Sequence, residues 1–212
     1  MSSCITFLGA PGSGKGTQAE RLSEKLGMEK ISVGDLVREE VLNESPLGKQ
    51  AKPFIEAGNL VPDELIIGMF EEKAGSLSKQ TGFIADGYPR NLDQAKALDG
   101  IIDAKNMRIL LLDVSVDAVK KRLLGRLICG DCQKIFHRTF SPPAVPSVCD
   151  ACGGALKARS DDNEVVIENR FRVYENEMAS VFSYFGNRVK RIDANQGSDN
   201  VFAAILRSIN GH

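Results

Sequence analysis

Residues 9–17 read GAPGSGKGT, a lysine set behind glycines at the spacing G-x-x-x-x-G-K. Phosphate oxygens call for converging backbone N–H groups, a helix N-terminus behind them and a bridging ammonium, with glycine wherever a side chain would block the approach. Gly9, Gly12, Gly14, Lys15 and Gly16 meet those demands, and Ser13 and Thr17 add hydroxyls. The strict phosphate-loop pattern puts Ser or Thr directly after the lysine; here Gly16 stands in that place and Thr17 follows it. A glycine-rich turn alone could be no more than a tight connection, and the lysine at this offset favours the phosphate reading.

A second constellation is made of thiols. Cys129-Gly-Asp-Cys132 and Cys149-Asp-Ala-Cys152 are two C-x2-C pairs with sixteen residues between them, the spacing of a Cys4 zinc ribbon. Each pair can turn both sulfurs toward one ion, and two pairs complete a tetrahedron with no open position, which makes such a metal structural. Zinc or a similar thiophilic ion competes with disulfides and with four independent buried thiols, and the absence of an export signal weighs toward metal. Such ribbons also occur as nucleic-acid binders. The fifth cysteine, Cys4, reads as a small buried hydrophobe, and His137 as a packing or polar residue beside a site that needs no fifth ligand.

The elements that must position these groups alternate. CITFLG (4–9) is an apolar run ending at the loop, and KGTQAERLSEKLG continues it as a helix with Ala19, Leu22 and Leu26 at helical spacing. FIADG (83–87), RILLLDV (108–114) and RVKRID (188–193) read as further strands, the second apolar enough to be covered on both faces. In VVIENRFRVYENEMASVFSYFG, Ile167, Phe171, Tyr174, Met178, Val181 and Phe185 form one stripe and Gly186 offers a C-cap. Alternating strands and helices predict an α/β open parallel sheet flanked by helices, with ligands at the carboxyl ends of the strands, where Gly9 to Thr17 lie. Residues 32–61 and 126–163, rich in turn signals, interrupt the alternation and read as inserted lobes.

The 212 residues suit one main domain with small insertions, and 42% hydrophobic against 26% charged is an ordinary globular balance. With 27 basic and 28 acidic residues there is no overall positive field for a nucleic-acid backbone or an anionic membrane. No apolar run approaches the roughly twenty residues that span a bilayer. A cytoplasmic protein is expected, and a monomer, since no exposed apolar stripe is visible.

The stretch GAPGSGKGTQA resembles the phosphate loop of the nucleoside monophosphate kinases, the adenylate kinases in particular. ISVGDLVR (31–38), GNLVPDE (58–64), DGYPRNLDQA (86–95), RLLGR (122–126) and RSDDNEVVIENR (159–170) look like the family's remaining motifs, in order and at similar separations. The resemblance implies a P-loop NTPase-type core over 1–31, 62–125 and 164–212, a helical NMP-binding lobe over 32–61 and a zinc-binding lid over 126–163. It implies Mg-dependent transfer of a phosphoryl group from ATP to AMP, giving two ADP by in-line displacement, with both lobes closing. ATP, AMP and ADP are the expected partners, with Mg2+ carried by ATP and structural Zn2+ in the lid.

Positive groups must surround a migrating phosphate, and arginine's planar donors grip it in a fixed geometry. The resemblance puts Lys15 on the β and γ phosphates within a loop of Gly12, Ser13, Gly14, Gly16 and Thr17, Arg38 and Arg90 on the AMP phosphate, and Arg126, Arg159 and Arg170 on the transferred group. It stacks Arg122 on the ATP adenine opposite Phe140, brings Ile135 and Phe136 to ATP from the lid, and sets Gln196 beside the ATP base. Asn59, Leu60 and Val61 would line the AMP pocket with Val33, Gly87, Tyr88 and Pro89, and Gln94 would read the adenine edge. Asp86, at a strand end, would hold water ligands of Mg2+, or alternatively cap a helix or pair with arginine. Asp161 and Asp162 could pair with lid or core arginines and latch a closed state, or only solvate a hinge loop.

Some residues depart from the family pattern. Val33 stands where Thr is usual beside the AMP base, which keeps a kinase for another monophosphate in view, and Tyr88, Asn91 and Ala194 replace commoner residues. A zinc-ribbon nucleic-acid-binding protein with a nucleotide site is the reading from another class, and the neutral charge and six motif arginines argue against it.

Overall fold

The computed structural model describes residues 3–77 and 82–210. Along the chain run β1 (Cys4–Leu8), α1 (Lys15–Leu26), β2 (Glu29–Ser32), α2 (Val33–Leu42), α3 (Pro46–Ala57) and α4 (Asp63–Ser76). There follow β3 (Phe83–Asp86), α5 (Leu92–Ile101), β4 (Met107–Asp113), α6 (Val116–Leu124), β5 (Arg126–Cys129), β6 (Ile135–His137) and β7 (Leu156–Lys157). The chain closes with α7 (Glu164–Phe185), β8 (Val189–Asp193) and α8 (Ser198–Asn210).

The main sheet has the order β2-β3-β1-β4-β8, parallel at every pairing. The connection from β3 to β4 passes over β1, so the chain's direction of travel reverses around β1 and opens a crevice at its carboxyl end. The glycine-rich loop starts there. Alternate residues of β4 explain its apolar run: Ile109 and Leu111 face a core shared with Met178, Val181 and Phe185 of α7, while Leu110 and Leu112 face one shared with Leu22 of α1 and Ile205 of α8. Cys4 is fully buried in the first of these cores.

The four expected strands lie within a residue or two of the ends their patterns imply. The sheet has a fifth, β2, that the pattern does not reveal, because its EKIS carries a single large apolar residue. As an edge strand it needs only Ile31 and Ser32 inside, and register with β3 holds the rest. In α7 the expected stripe is buried, with Tyr174 half-buried, and Asn163 caps the start by accepting from Val166 N–H at 3.1 Å. Leu26, at the end of the α1 pattern, is 41% exposed.

Residues 126–163 hold no helix; β6-β5-β7 form a small antiparallel sheet with its own core of Leu127, Phe136, Leu156, Cys129 and Cys149. Residues 32–61 hold α2 and α3. Ser32 caps the first by accepting from Asp35 N–H at 3.3 Å, and Ser45 caps the second by accepting from Gly48 N–H at 2.9 Å. No helix among the described residues is long and apolar enough to cross a membrane.

Candidate active site

Helix α1 begins at Lys15 behind Gly14, whose backbone is left-handed at φ 96° and which supplies no side-chain cap. Its first-turn N–H groups, and the positive end of the helix dipole, are therefore available to an anion. Lys15 Nζ lies over the loop and donates to the Gly9 carbonyl at 2.6 Å and the Ala10 carbonyl at 2.9 Å. Burial pulls its ammonium down to about 7, with Asp86 opposing and Arg90, Arg170 and Arg126 adding to the fall. Burial in turn pushes the Asp86 carboxyl up, against the pull of Lys15. Gly16 replaces the usual hydroxyl residue in a tight place: a Cβ there would lie 3.1 Å from Asp86 Oδ2, crowding that carboxylate by a few tenths of an ångström, and 3.5 Å from Ile135 Cδ1. The same contact brings β6 down to the phosphate loop.

Facing the loop, two aspartates tie three arginines together. Arg159 grips Asp161 with two bonds of 3.0 and 2.9 Å, Arg126 grips Asp162 with two of 2.7 and 2.5 Å, and Arg170 Nη1 reaches Asp161 Oδ2 at 3.1 Å and Asp162 Oδ1 at 3.4 Å. The pairing expected of Asp161 and Asp162 is therefore present. Burial works against ionisation of Asp161, yet Arg159 and Arg170 outweigh it and hold the carboxyl down at about 2. Held below its ordinary 3.8, this group binds its proton more weakly in the folded protein than in the unfolded chain. Its contribution is thus complete above that value and is lost as pH falls through 2, an effect of about 2 kcal/mol. We expect the unfolding free energy of the protein to fall across pH 4 to 2 by that amount more than in Asp161→Asn; parallel curves in urea titrations would refute the pairing.

Between loop and network lies a cavity of about 150 Å³. Its lining includes Lys15, Arg38, Arg90 and Arg170 together with the apolar Val33, Val37, Leu60, Val61 and Ile66. Gly87, Pro89, Gln94 and Asn59, expected there, also line it, whereas Tyr88 does not. Arg38 donates to Asp35, and its Nε–H is buried without a partner, a donor left for an anion. Arg90 is anchored by Nε to the Gly87 carbonyl at 2.8 Å. A Cβ built at Gly34 would meet Arg38 Nη2 at 3.1 Å and Arg90 Nη2 at 3.4 Å, so the two guanidiniums converge over one glycine. Gln94 is 1% exposed, and both ends of its amide already have protein partners.

Other expected residues stand at the margins. Arg122 lies under the loop, donating to the carbonyls of Ala194 at 2.9 Å and Ser13 at 3.4 Å. Phe140 is 65% exposed and packs on His137 with ring centroids 4.4 Å apart. His137 accepts at Nδ1 from Thr139 and Phe140 N–H groups, the polar and packing role expected of it. The Phe136 side chain is buried in the core of the small antiparallel sheet, so only its backbone is left for a ligand. Gln196 is exposed and bonds to Asp193, and Thr17 is exposed on α1. Tyr88 is buried against Phe70, with 4.0 Å between centroids, away from the cavity wall; its backbone carbonyl accepts from Thr6 and its hydroxyl has no partner. Sequence reasoning misses Asp35 and Asp63, which hold Arg38 and Gln94. The one sequence signal for them is a carboxylate in the first turn of each helix.

The four cysteines of the small sheet have their Sγ atoms within 4.8 Å of one another, and none forms a disulfide. A tetrahedral ion with metal–sulfur bonds of about 2.3 Å requires sulfurs roughly 3.8 Å apart, and two of the pairs stand at 3.5 Å. The residue after each C-x2-C, Gln133 at φ 61° and Gly153 at φ 78°, turns left-handed and folds the chain back. Backbone N–H groups aim at the sulfurs, as Ala151 does toward Cys149 at 3.4 Å, and that of Cys132 helps pull the Cys129 thiol down to about 7. The cluster fits a zinc ion and could hold one.

A glycine loop between the central strand and its helix, a half-buried lysine over it and arginines around the adjoining cavity define a P-loop phosphotransferase. The sequence profile of the family described as adenylate kinase matches residues 7–190, and the chain belongs to that family. It is 42% identical over 206 residues to the adenylate kinase of Thermodesulfovibrio yellowstonii, covering 95% of this chain and 96% of that one. It is 40% identical over 210 residues to that of Moorella thermoacetica, covering 97% of each, and 47% identical over 183 residues to that of Nitrosococcus oceani, covering 84% of each.

Proposed function

We propose that the protein transfers the terminal phosphoryl group of Mg-ATP to AMP, giving two ADP in one in-line step. The observation that carries this is a cavity whose lining combines Lys15, Arg38, Arg90 and Arg170 with the apolar Val33, Val37, Leu60, Val61 and Ile66. That arrangement suits a phosphate held by cations and a base held by Val33, Leu60 and Val61. No covalent intermediate is needed: the cations hold donor and acceptor oxygens in line and stabilise charge as it spreads over the migrating group. Mg2+ bound to ATP would add charge neutralisation on the β and γ oxygens, and Asp86, beside Lys15, is the carboxylate to hold its waters. Arg122 would stack on the ATP adenine against Phe140, with Ile135 and Gln196 at its edges.

In this reading residues 32–61 form the lobe over AMP and residues 126–163 the lid over ATP, around a core of 1–31, 62–125 and 164–212. The Asp161 and Asp162 ion pairs latch the lid side to α7, and closure excludes water that would hydrolyse the donor. Zinc in the Cys4 cluster stiffens the lid and takes no part in the chemistry. Initial velocities of ADP formation with Mg-ATP and each of AMP, GMP, CMP and UMP test the proposal. AMP is expected to be preferred by at least tenfold, Val33 being offset by the contacts of Gln94. Comparable or faster rates with another monophosphate would move the assignment to a sister kinase.

A further inference from the structure

Gln94 has an amide that fits two purine edges. With its N–H toward the ring nitrogen and its oxygen toward the exocyclic amine it pairs with adenine; rotated by half a turn, the same amide pairs with the O6 and N1–H of a 6-oxopurine. Selection of adenine therefore depends on what prevents the rotation. Two contacts do. The Arg90 backbone N–H donates to Gln94 Oε1 at 2.8 Å, and Gln94 Nε2 donates to Asp63 Oδ1 at 2.7 Å. A carboxylate accepts only and a backbone N–H donates only, so the rotated amide would set oxygen against oxygen and N–H against N–H.

Asp63 is itself fixed. Asn91 Nδ2 donates to its two oxygens at 2.8 and 2.9 Å, while Asn91 Oδ1 accepts from the Gln94 backbone N–H at 3.0 Å as the cap of α5. Asp63 opens α4, where the helix dipole favours its charge. Gln94 is among the residues that line the cavity, and with its contacts to the Arg90 N–H and Asp63 made its amide keeps one N–H and one lone pair for a ligand.

Resting on the reading of Gln94 as the adenine-facing residue, we propose that Asp63 is a positioning residue for base selection: through Gln94 it imposes preference for 6-aminopurine over 6-oxopurine monophosphates. The probe is IMP, which carries the 6-oxopurine edge without the bulk of a 2-amino group. Asp63→Asn keeps the shape but offers an amide that can donate or accept, which removes one of the two contacts opposing the rotation and leaves that of the Arg90 N–H.

In the folded variant the ratio of kcat/KM for AMP to that for IMP is expected to fall about tenfold, a bidentate base contact being worth roughly 1–3 kcal/mol of discrimination. The change should appear as a raised KM for AMP and a faster reaction with IMP, and Asp63→Glu should restore part of the ratio. Gln94→Leu should lose the preference too, and the double variant should lose no more than either single one. An unchanged ratio in Asp63→Asn beside a lost one in Gln94→Leu overturns the role of Asp63 and leaves Gln94 as the base reader. An unchanged ratio in Gln94→Leu overturns the reading of Gln94, and this inference with it.

Discussion

Arg90→Ala is expected to lower kcat/KM for the monophosphate by about 10²–10³-fold while leaving the fold intact, the loss usual for removing one preorganised charged donor from a transition state. The fold should survive because Arg90 is exposed along the cavity wall and its side chain makes one protein bond, to the Gly87 carbonyl. That bond leaves its outer nitrogens beside those of Arg38 over Gly34. Two guanidiniums held this close repel each other unless an anion lies between them, so their convergence is informative in a way that either alone would not be. Arg90→Lys should recover only part of the rate, because an ammonium lacks the planar fork that grips two oxygens. Steady-state kinetics beside a thermal melt decide the matter: near-normal turnover in a folded Arg90→Ala would remove it from the site.

Replacing Cys149 by serine should produce the second large effect: on the proposed reading of the Cys4 cluster, zinc and the structure of residues 126–163 are lost together. Beyond Cys129 and Cys149, the buried core of the small antiparallel sheet contains only Leu127, Phe136 and Leu156. Full burial of such side chains is worth roughly 1.5–3 kcal/mol each, set against a cost of about 1–2 kcal/mol for every residue whose backbone is ordered. A lobe of that size needs a cross-link, and a structural zinc site contributes on the order of 10 kcal/mol in small domains. We expect metal content to fall from one ion per chain to none, an early thermal transition to appear, and turnover to drop as β6 no longer covers the loop. Chelation of the unmutated protein should reproduce all three. Unchanged metal stoichiometry in Cys149→Ser would count against the Cys4 site.

Groups that act through backbone geometry over a few consecutive residues are legible in the amino-acid sequence itself. The glycine loop, the two C-x2-C turns and the stripe of α7 are of this kind, because a tight turn or a helical face is determined by residues close in sequence. β4 is legible for a related reason: a strand covered on both faces needs an unbroken apolar run. β2 is not, since an edge strand is held by register with β3 and carries little pattern of its own.

The chain alone therefore determined the sheet class, the phosphate loop, the thiol cluster and the set of arginines. Which carboxylate each arginine meets, and what holds Gln94, depended on the tertiary structure. Asp63 and Gln94 are brought together from α4 and α5, and Arg126 and Asp162 from β5 and the turn that leads into α7. A hydrogen bond depends on a few tenths of an ångström and on donor direction, and across such separations only the packed sheet and its helices fix those quantities.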